Sequence, residues 1–343
     1  MAAPTKYLFL HVLFCVVVIL LYTYVSANTN RKIEQLFKQY IAKYNKTHVE
    51  GSKEYIFRMN VFEKSLIRHA KLNSKTVSIE NAQFGINKFS DMTPEEFQVK
   101  FLKLKQEPAE PFQPLSLDLW LGNKPIATTE RTQKVDWRKT NKVTAVNNQK
   151  DCGACWAFSS VEIIESMVAI RKGVLAPLSV QQMTDCARFG NRGCQGGNIE
   201  TALMWLKSTN TALVSSKKYP LTWKTETCKL TNSTEGVTIS SHATYGLVQN
   251  EEKMVDLIEN HGPVAVAIDA TLWQDYLGGV IQHHCEMNLN HAVEIVGYDL
   301  TGNVPYYIVR NSWGTDFGHS GYLYIKIGKN VCGIATSVSI VDV

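Results

Sequence analysis

Eight cysteines constrain this chain more than any other residue type. Cys15 lies in an apolar N-terminal run, and Cys152, Cys155, Cys186, Cys194, Cys228, Cys285 and Cys332 all fall in the C-terminal two-thirds. Whether they form cross-links depends on the compartment, and the N-terminus bears on that. Lys6 precedes a nearly unbroken apolar stretch from Tyr7 to Val25, closed by Val25-Ser26-Ala27, a small-residue cleavage pattern. The stretch approaches bilayer-spanning length, so a retained anchor is the alternative to a removed signal peptide over residues 1–27. The cleavage-like end and the absence of a strong basic flank favour removal. Two sequons, at Asn45 and Asn232, fit glycosylation in a secretory lumen and a lysosomal or secreted destination. In such an oxidising compartment seven cysteines cannot all pair among themselves, so at least one thiol is left over.

Charge narrows the function classes. From Arg131 onward 19 basic residues face 19 acidic ones, so the main body is formally neutral, and the net charge of +5 comes from the earlier part. A neutral body without a Lys/Arg cluster argues against nucleic-acid binding. Residues 31–75 place Ile33, Leu36, Phe37, Tyr40, Ile56, Phe62 and Leu66 at helical spacings with no interrupting proline. Thr93-Pro94-Glu95-Glu96-Phe97 reads as a helix start. Residues 100–133 lose periodicity and carry four prolines, which predicts an extended, exposed and cleavable connection. Beyond it, helices are predicted over 156–171, 179–186 and 198–207, with Gly173 capping the first. Strands are predicted at 264–268, 291–298, 306–310 and 322–327. Helices first and strands later predict two packed lobes, one mainly α and one mainly β, with a cleft between them.

The strongest chemical signal is Cys152-Gly153-Ala154-Cys155-Trp156. Cys155 falls in the first turn of the apolar helix, where free backbone N–H groups and the helix dipole favour the thiolate, the nucleophilic form. A zinc half-site or a thioredoxin-like redox pair is the competing reading of Cys-x-x-Cys. Zinc needs a second ligand pair at similar spacing, and Cys186 with Cys194 fits poorly. The redox reading needs a preceding strand and a much shorter chain. A nucleophile needs a base, and the base needs an orienting group. His291 opens a predicted strand, and Asn311 follows another inside Asn311-Ser312-Trp313-Gly314; an Asn amide fixes an imidazole tautomer without adding charge.

These residues resemble those of papain-like cysteine proteases over nearly the whole chain after residue 27. The resemblance implies an α+β, two-lobed fold with a mainly α left lobe and a β-barrel-like right lobe, preceded by a helical inhibitory propeptide. It divides the chain into a propeptide with exposed linker over 28–130 and a peptidase domain over 131–343. It implies that Gln149 joins the Cys155 N–H in an oxyanion hole. Gly153, Gly197, Asn198 and Trp313 would contact substrate, and Ile199, Ala267, Ala292 and Ser337 would line an S2 pocket for a medium-sized apolar side chain. It also implies disulfides Cys152–Cys194, Cys186–Cys228 and Cys285–Cys332, which leave Cys155 free. Glu54, Arg58, Phe62 and Asn73 match cathepsin L-type propeptides, whereas Ser65 and His69 depart from the usual Asn and Ile. Gly85, Asn87, Phe89 and Asp91 match the short motif that follows.

Partners implied by the resemblance are peptide or protein substrates, the chain's own propeptide and cystatin-like inhibitors, for a monomer without metal or cofactor. Without an insertion like the occluding loop of cathepsin B, endopeptidase action is favoured. Phe317 replaces a second Trp near Asn311, so looser shielding is expected there. Glu294 is read as structural rather than substrate-reading, and His283 and His284 as solvated loop residues. Acid is expected to weaken the propeptide by protonating carboxylates such as Asp91. The rival from another class is a catalytically silent binding protein or an inhibitor acting through residues 28–130; filled positions 149, 155, 291 and 311 count against it.

Overall fold

A computed structural model describes residues 4–74, 81–105, 117, 132–230, 235–283 and 285–343, in two compact units: Met1–Arg68 with Lys88–Met92, and His69–Asn87 with Thr93–Val343. The proline-containing connection beyond residue 105 with the boundary at 130/131, the sequon Asn232 and His284 lie outside the described residues.

The first unit holds α1 (Pro4–Lys43) and most of α2 (Lys53–Asn73). From Leu13 onward α1 is long and apolar enough to cross a membrane, and Leu13 to Tyr24 are exposed; a signal sequence has the same properties. The turn between the helices uses left-handed backbone at Asn45 and Gly51. Phe37, Tyr40, Tyr55 and Phe62, spaced to share one face of their helices, form an aromatic core with contacting ring centroids 4.9–5.9 Å apart.

Beneath that core, Asp91 accepts from Tyr40 Oη at 2.7 Å, Lys46 Nζ at 2.8 Å and His48 Nε2 at 2.8 Å. Arg58 donates to its carbonyl at 2.9 Å, and Ser65 donates to the Ser90 carbonyl at 2.8 Å. Burial alone would raise the Asp91 pKa, but the His48, Lys46 and Tyr40 hydrogen bonds outweigh it and hold the carboxyl below its ordinary range. The sign matters for the expected acid trigger. A depressed carboxyl stabilises the fold above its ordinary pKa and loses that contribution only as pH falls through the depressed value. Mild acid therefore leaves this clamp intact.

The second unit is two-lobed and α+β. Its α lobe is built on α4 (Cys155–Lys172), with α5 (Val180–Cys186) and α6 (Ile199–Thr209) packed around it; α3 (Pro94–Phe101) precedes them in the chain. Ser179 and Asn198 cap α5 and α6, and Gly173 in the left-handed region ends α4. The predicted helices thus form within a residue or two of their expected ends.

The β lobe is an eight-stranded sheet. Its order is β3 (Ser241–Tyr245), β10 (Val338–Asp342), β4 (Val264–Ile268), β7 (His291–Asp299), β8 (Tyr306–Arg310), β9 (Tyr322–Lys326) and β6 (Val280–Ile281), with β2 (Lys134–Asp136) also on β7. Separately, β1 (Gln83–Phe84) pairs antiparallel with β5 (Tyr276–Gly278). Strands β3 and β10 and the helix α7 (Glu251–Asn260) are not among the expected elements; pairing makes the strands, whereas α7 buries an apolar face of Met254, Val255, Leu257 and Ile258.

Helix α4 is not one-sided: every residue from Cys155 to Ala169 is buried, including Glu162 and Glu165. Their compensation is Arg310 at the end of β8. Its guanidinium lies 3.4 Å from Glu162 and donates to Glu294 at 3.0 Å and to Thr144 at 3.0 Å; Thr144 in turn donates to Glu165. Glu294 also accepts from Ser166 at 2.9 Å. The apolar strand tolerates Glu294 because a cross-strand arginine meets it (Glu294 and Arg310 are register partners), in keeping with its structural reading.

Candidate active site

Helix α4 starts at Cys155 without a side-chain cap on Ala154, so its first N–H groups are free to face an anion. The Cys155 side chain is fully buried. Burial pushes its thiol up to about 11, against backbone N–H groups of Ala292, Trp156 and Lys103 that face the sulfur. The seven cysteines resolve as the resemblance implied: Cys152–Cys194, Cys186–Cys228 and Cys285–Cys332 are bonded, and Cys155 is free. With Cys152 tied to Cys194, the redox-pair reading of Cys152 and Cys155 has no partner thiol.

The residue before Ala292 is His291, first in β7 and fully buried. Its Nε2 meets Asn311 Oδ1 at 2.9 Å, and the same oxygen accepts from the Ser312 N–H at 2.8 Å. An amide oxygen only accepts, so neutral His291 carries its proton on Nε2 and keeps a bare lone pair on Nδ1. That Nδ1 is buried with no hydrogen-bond partner among the described residues. Burial pushes the imidazole down to about 4, against the Asn311 hydrogen bond.

Trp313 tilts over His291 with ring centroids 4.8 Å apart. Phe317 is buried and meets the Trp313 ring edge-on at 4.8 Å. The smaller ring therefore packs closely, and the looser shielding expected of it is absent. Trp273 closes another side, 6.0 Å from His291 and perpendicular to it.

Gln149 is fully buried. Its Oε1 accepts from Ser312 Oγ at 2.7 Å, and its Nε2 points at the carbonyls of Cys152 at 3.2 Å and Phe101 at 3.5 Å. Phe101 ends α3, whose Phe97 and Phe101 rings stand edge-on to Trp313 at 5.2 and 5.8 Å. The chain then runs on through the site in extended form: Leu104 N donates to the Asn290 carbonyl at 3.0 Å, and Lys105 N donates to the Gly197 carbonyl at 2.9 Å. Asn198 Nδ2 donates to the Lys105 carbonyl at 3.1 Å. Gly196, in the left-handed region, admits this strand, because a Cβ there would stand 2.2 Å from the Lys103 carbonyl oxygen. Gly153 is overlain by the Lys103 side chain.

Of the expected S2 residues, Ala267 and Ala292 are cross-strand partners, and Ala267 N bonds the Ser337 carbonyl at 3.1 Å. Ile199 belongs to the same apolar cluster as Ala292. No pattern in the sequence marks Ser312, which fixes Gln149, or Trp273, which walls His291; neither sits in a run with a chemical period. Also missed were Arg310 and its glutamates, although charged residues inside apolar segments were the available signal.

Residues 131–341 match the family of papain family cysteine proteases, and residues 37–97 match the cathepsin propeptide inhibitor domain. Cathepsin O of Mus musculus is 44% identical over 281 residues, covering 81% of this chain and 88% of that protein. Cathepsin O of Homo sapiens is 43% identical over 281 residues, covering 81% and 85%. Among solved structures, the digestive procathepsin L2 proteinase from Tenebrio molitor larval midgut superposes with a TM-score of 0.82 at 31% identity, over 91% of this chain and all of that one. A recombinant stem bromelain precursor does so with a TM-score of 0.76 at 31% identity, over 91% and 99%. This chain belongs to the papain family of cysteine proteases, as a zymogen with a cathepsin-type propeptide ahead of its peptidase domain.

Proposed function

We propose that the chain matures into a cysteine endopeptidase in which Cys155 is the nucleophile, His291 its acid and base, Asn311 the orienting group and Gln149 an oxyanion donor. The observation that carries this is that the one unpaired cysteine of residues 131–343 starts α4 and faces the backbone N–H of Ala292, the residue next to His291, whose Nε2 is held by Asn311. The Cys155 proton passes to Nδ1 of His291, and the thiolate attacks the peptide carbonyl. The resulting oxyanion is met by the Gln149 amide and the Cys155 N–H. His291 returns the proton to the leaving amine, and water then opens the thioester acyl-enzyme.

Latency follows from the segment that fills the site. Residues 97–105 exclude water from both reacting groups, so the thiol keeps its proton and the imidazole stays neutral. Their removal lets the two pKa values move toward each other. The division 28–130 and 131–343, removal of residues 1–27, glycans on Asn45 and Asn232, a lysosomal or secreted destination, a monomeric mature enzyme and inhibition by cystatin-like proteins belong to the same reading. Labelling the acid-processed enzyme with an epoxysuccinyl peptide probe tests it. The wild type will take one probe, and Cys155→Ala will take none and hydrolyse no peptide. Undiminished hydrolysis by Cys155→Ala would overturn Cys155 as the nucleophile, and a processed wild type that takes no probe and hydrolyses no peptide would favour the silent-binder rival.

A further inference from the structure

Residues 69–74 and 81–87 of the propeptide rest on residues 273–282 of the peptidase domain, largely through backbone groups that carry no side-chain identity. Gly85 N donates to the Asp275 carbonyl at 2.9 Å, Asn87 Nδ2 donates to the Gln274 carbonyl at 2.7 Å, Ala82 N donates to the Val280 carbonyl at 2.9 Å, and β1 pairs with β5. Any propeptide with this backbone could make most of these bonds. Two contacts are different, a partly exposed one in which Gln282 Nε2 donates to Asn81 Oδ1 and a buried one. His69, near the end of α2, places Nε2 2.9 Å from Asp275 Oδ1, across 206 residues of sequence. His69 is 6% exposed and Asp275 1%. Asp275 ends the turn that begins at Trp273, the residue whose ring stands against His291.

We propose that His69 and Asp275 form the recognition pair of this zymogen: the propeptide's hold on the peptidase depends on matched identities at these two positions. This rests on reading residues 28–130 as the inhibitory prosegment. A buried carboxylate is tolerated when a donor or cation meets it and costly when that partner is replaced by hydrocarbon, whereas replacing both members by apolar groups is close to neutral. An aliphatic side chain at 69, which is usual in cathepsin L-type propeptides, therefore suits a peptidase that is apolar at 275 and not this one. Matching identities make the prosegment an inhibitor selective for its own enzyme, and the turn it grips adjoins the catalytic histidine.

A double-mutant cycle on the full-length zymogen tests the pair. The rate of Cys155 labelling by an epoxysuccinyl peptide probe at neutral pH, before processing, reads how often the propeptide leaves the site. His69→Ile and Asp275→Leu are each expected to raise that rate about tenfold or more, and the double variant to return within about threefold of wild type. Wild-type rates in both single variants, or a double variant as fast as the faster single one, would overturn the proposal. His69→Ile releases a mature enzyme of wild-type sequence, so its activity after processing reports correct folding. If Asp275→Leu does not fold, His69→Gln keeps a neutral donor and must label more slowly than His69→Ile; equal rates again overturn the pair. Thermal unfolding of the unprocessed variants orders them without any labelling. Failure of the mature wild type to take the probe would fall on Cys155 as nucleophile, not on this pair.

Discussion

At Cys155 and His291 the chemistry is governed by water. Burial pushes the thiol up to about 11 and the imidazole down to about 4, which favours a neutral pair in the zymogen where the proposed mechanism needs an ion pair. Alkylation of Cys155 by chloroacetamide, followed by mass spectrometry of its peptide, should therefore rise only at strongly alkaline pH in the zymogen. In the mature enzyme the same rise should come several pH units lower. Identical profiles would mean that the prosegment does not set the ionisation. Substrate reading is also a matter of single residues. By the proposed reading, Ala267 and Ala292, paired across β4 and β7, line a pocket for a medium-sized apolar P2 side chain. Peptide-library profiling of the mature enzyme should show that preference, and a dominant charged P2 would count against these residues as the pocket.

At the scale of elements, three pieces bring the reacting groups together: α4 carries Cys155, β7 opens with His291, and β8 ends just before Asn311. Arg310 joins all three, meeting Glu162 on α4 and Glu294 on β7 from the last position of β8. Such a buried network holds the elements in one register, and breaking one member leaves the others charged and unmatched. Arg310→Leu is expected to cost about 3–5 kcal/mol in a chemical unfolding titration of the mature enzyme. Adding Glu294→Leu should recover part of that loss, because a carboxylate without its guanidinium is the larger liability. A single variant as stable as wild type would show that the network contributes nothing to holding these elements.

For the whole molecule, that network ties stability to pH. Burial raises Glu165 to about 7 against the pull of Arg310, and raises Glu162 and Glu294 as well. A carboxyl with a raised folded-state pKa binds more protons folded than unfolded, so its contribution declines as pH climbs from the ordinary carboxylate range to the raised value. Buried His242 and His261, whose pKa values are lowered, work in the opposite direction below the ordinary histidine range. The carboxyl effect is therefore isolated by comparison: between about pH 5 and about pH 7, Glu165→Gln should lose less stability, or gain more, than wild type. Parallel pH profiles for the two proteins would remove Glu165 from the account.

The local sequence determined the elements and the chemical types. Helical spacing with caps at Ser179, Asn198 and Gly173 fixed helices to within a residue or two, and a cysteine at a helix start with a histidine opening a strand marked the proposed reacting pair. These signals are legible because they depend on neighbours a few positions away. Only the tertiary structure decided what surrounds them. It buried Glu162 and Glu165 inside an otherwise apolar helix, packed Phe317 tightly where looser shielding was expected, and set Ser312 against Gln149. It also brought His69 to Asp275. Burial and long-range pairing are properties of residues that meet across the fold, and no period in the chain encodes which distant group supplies the compensating charge.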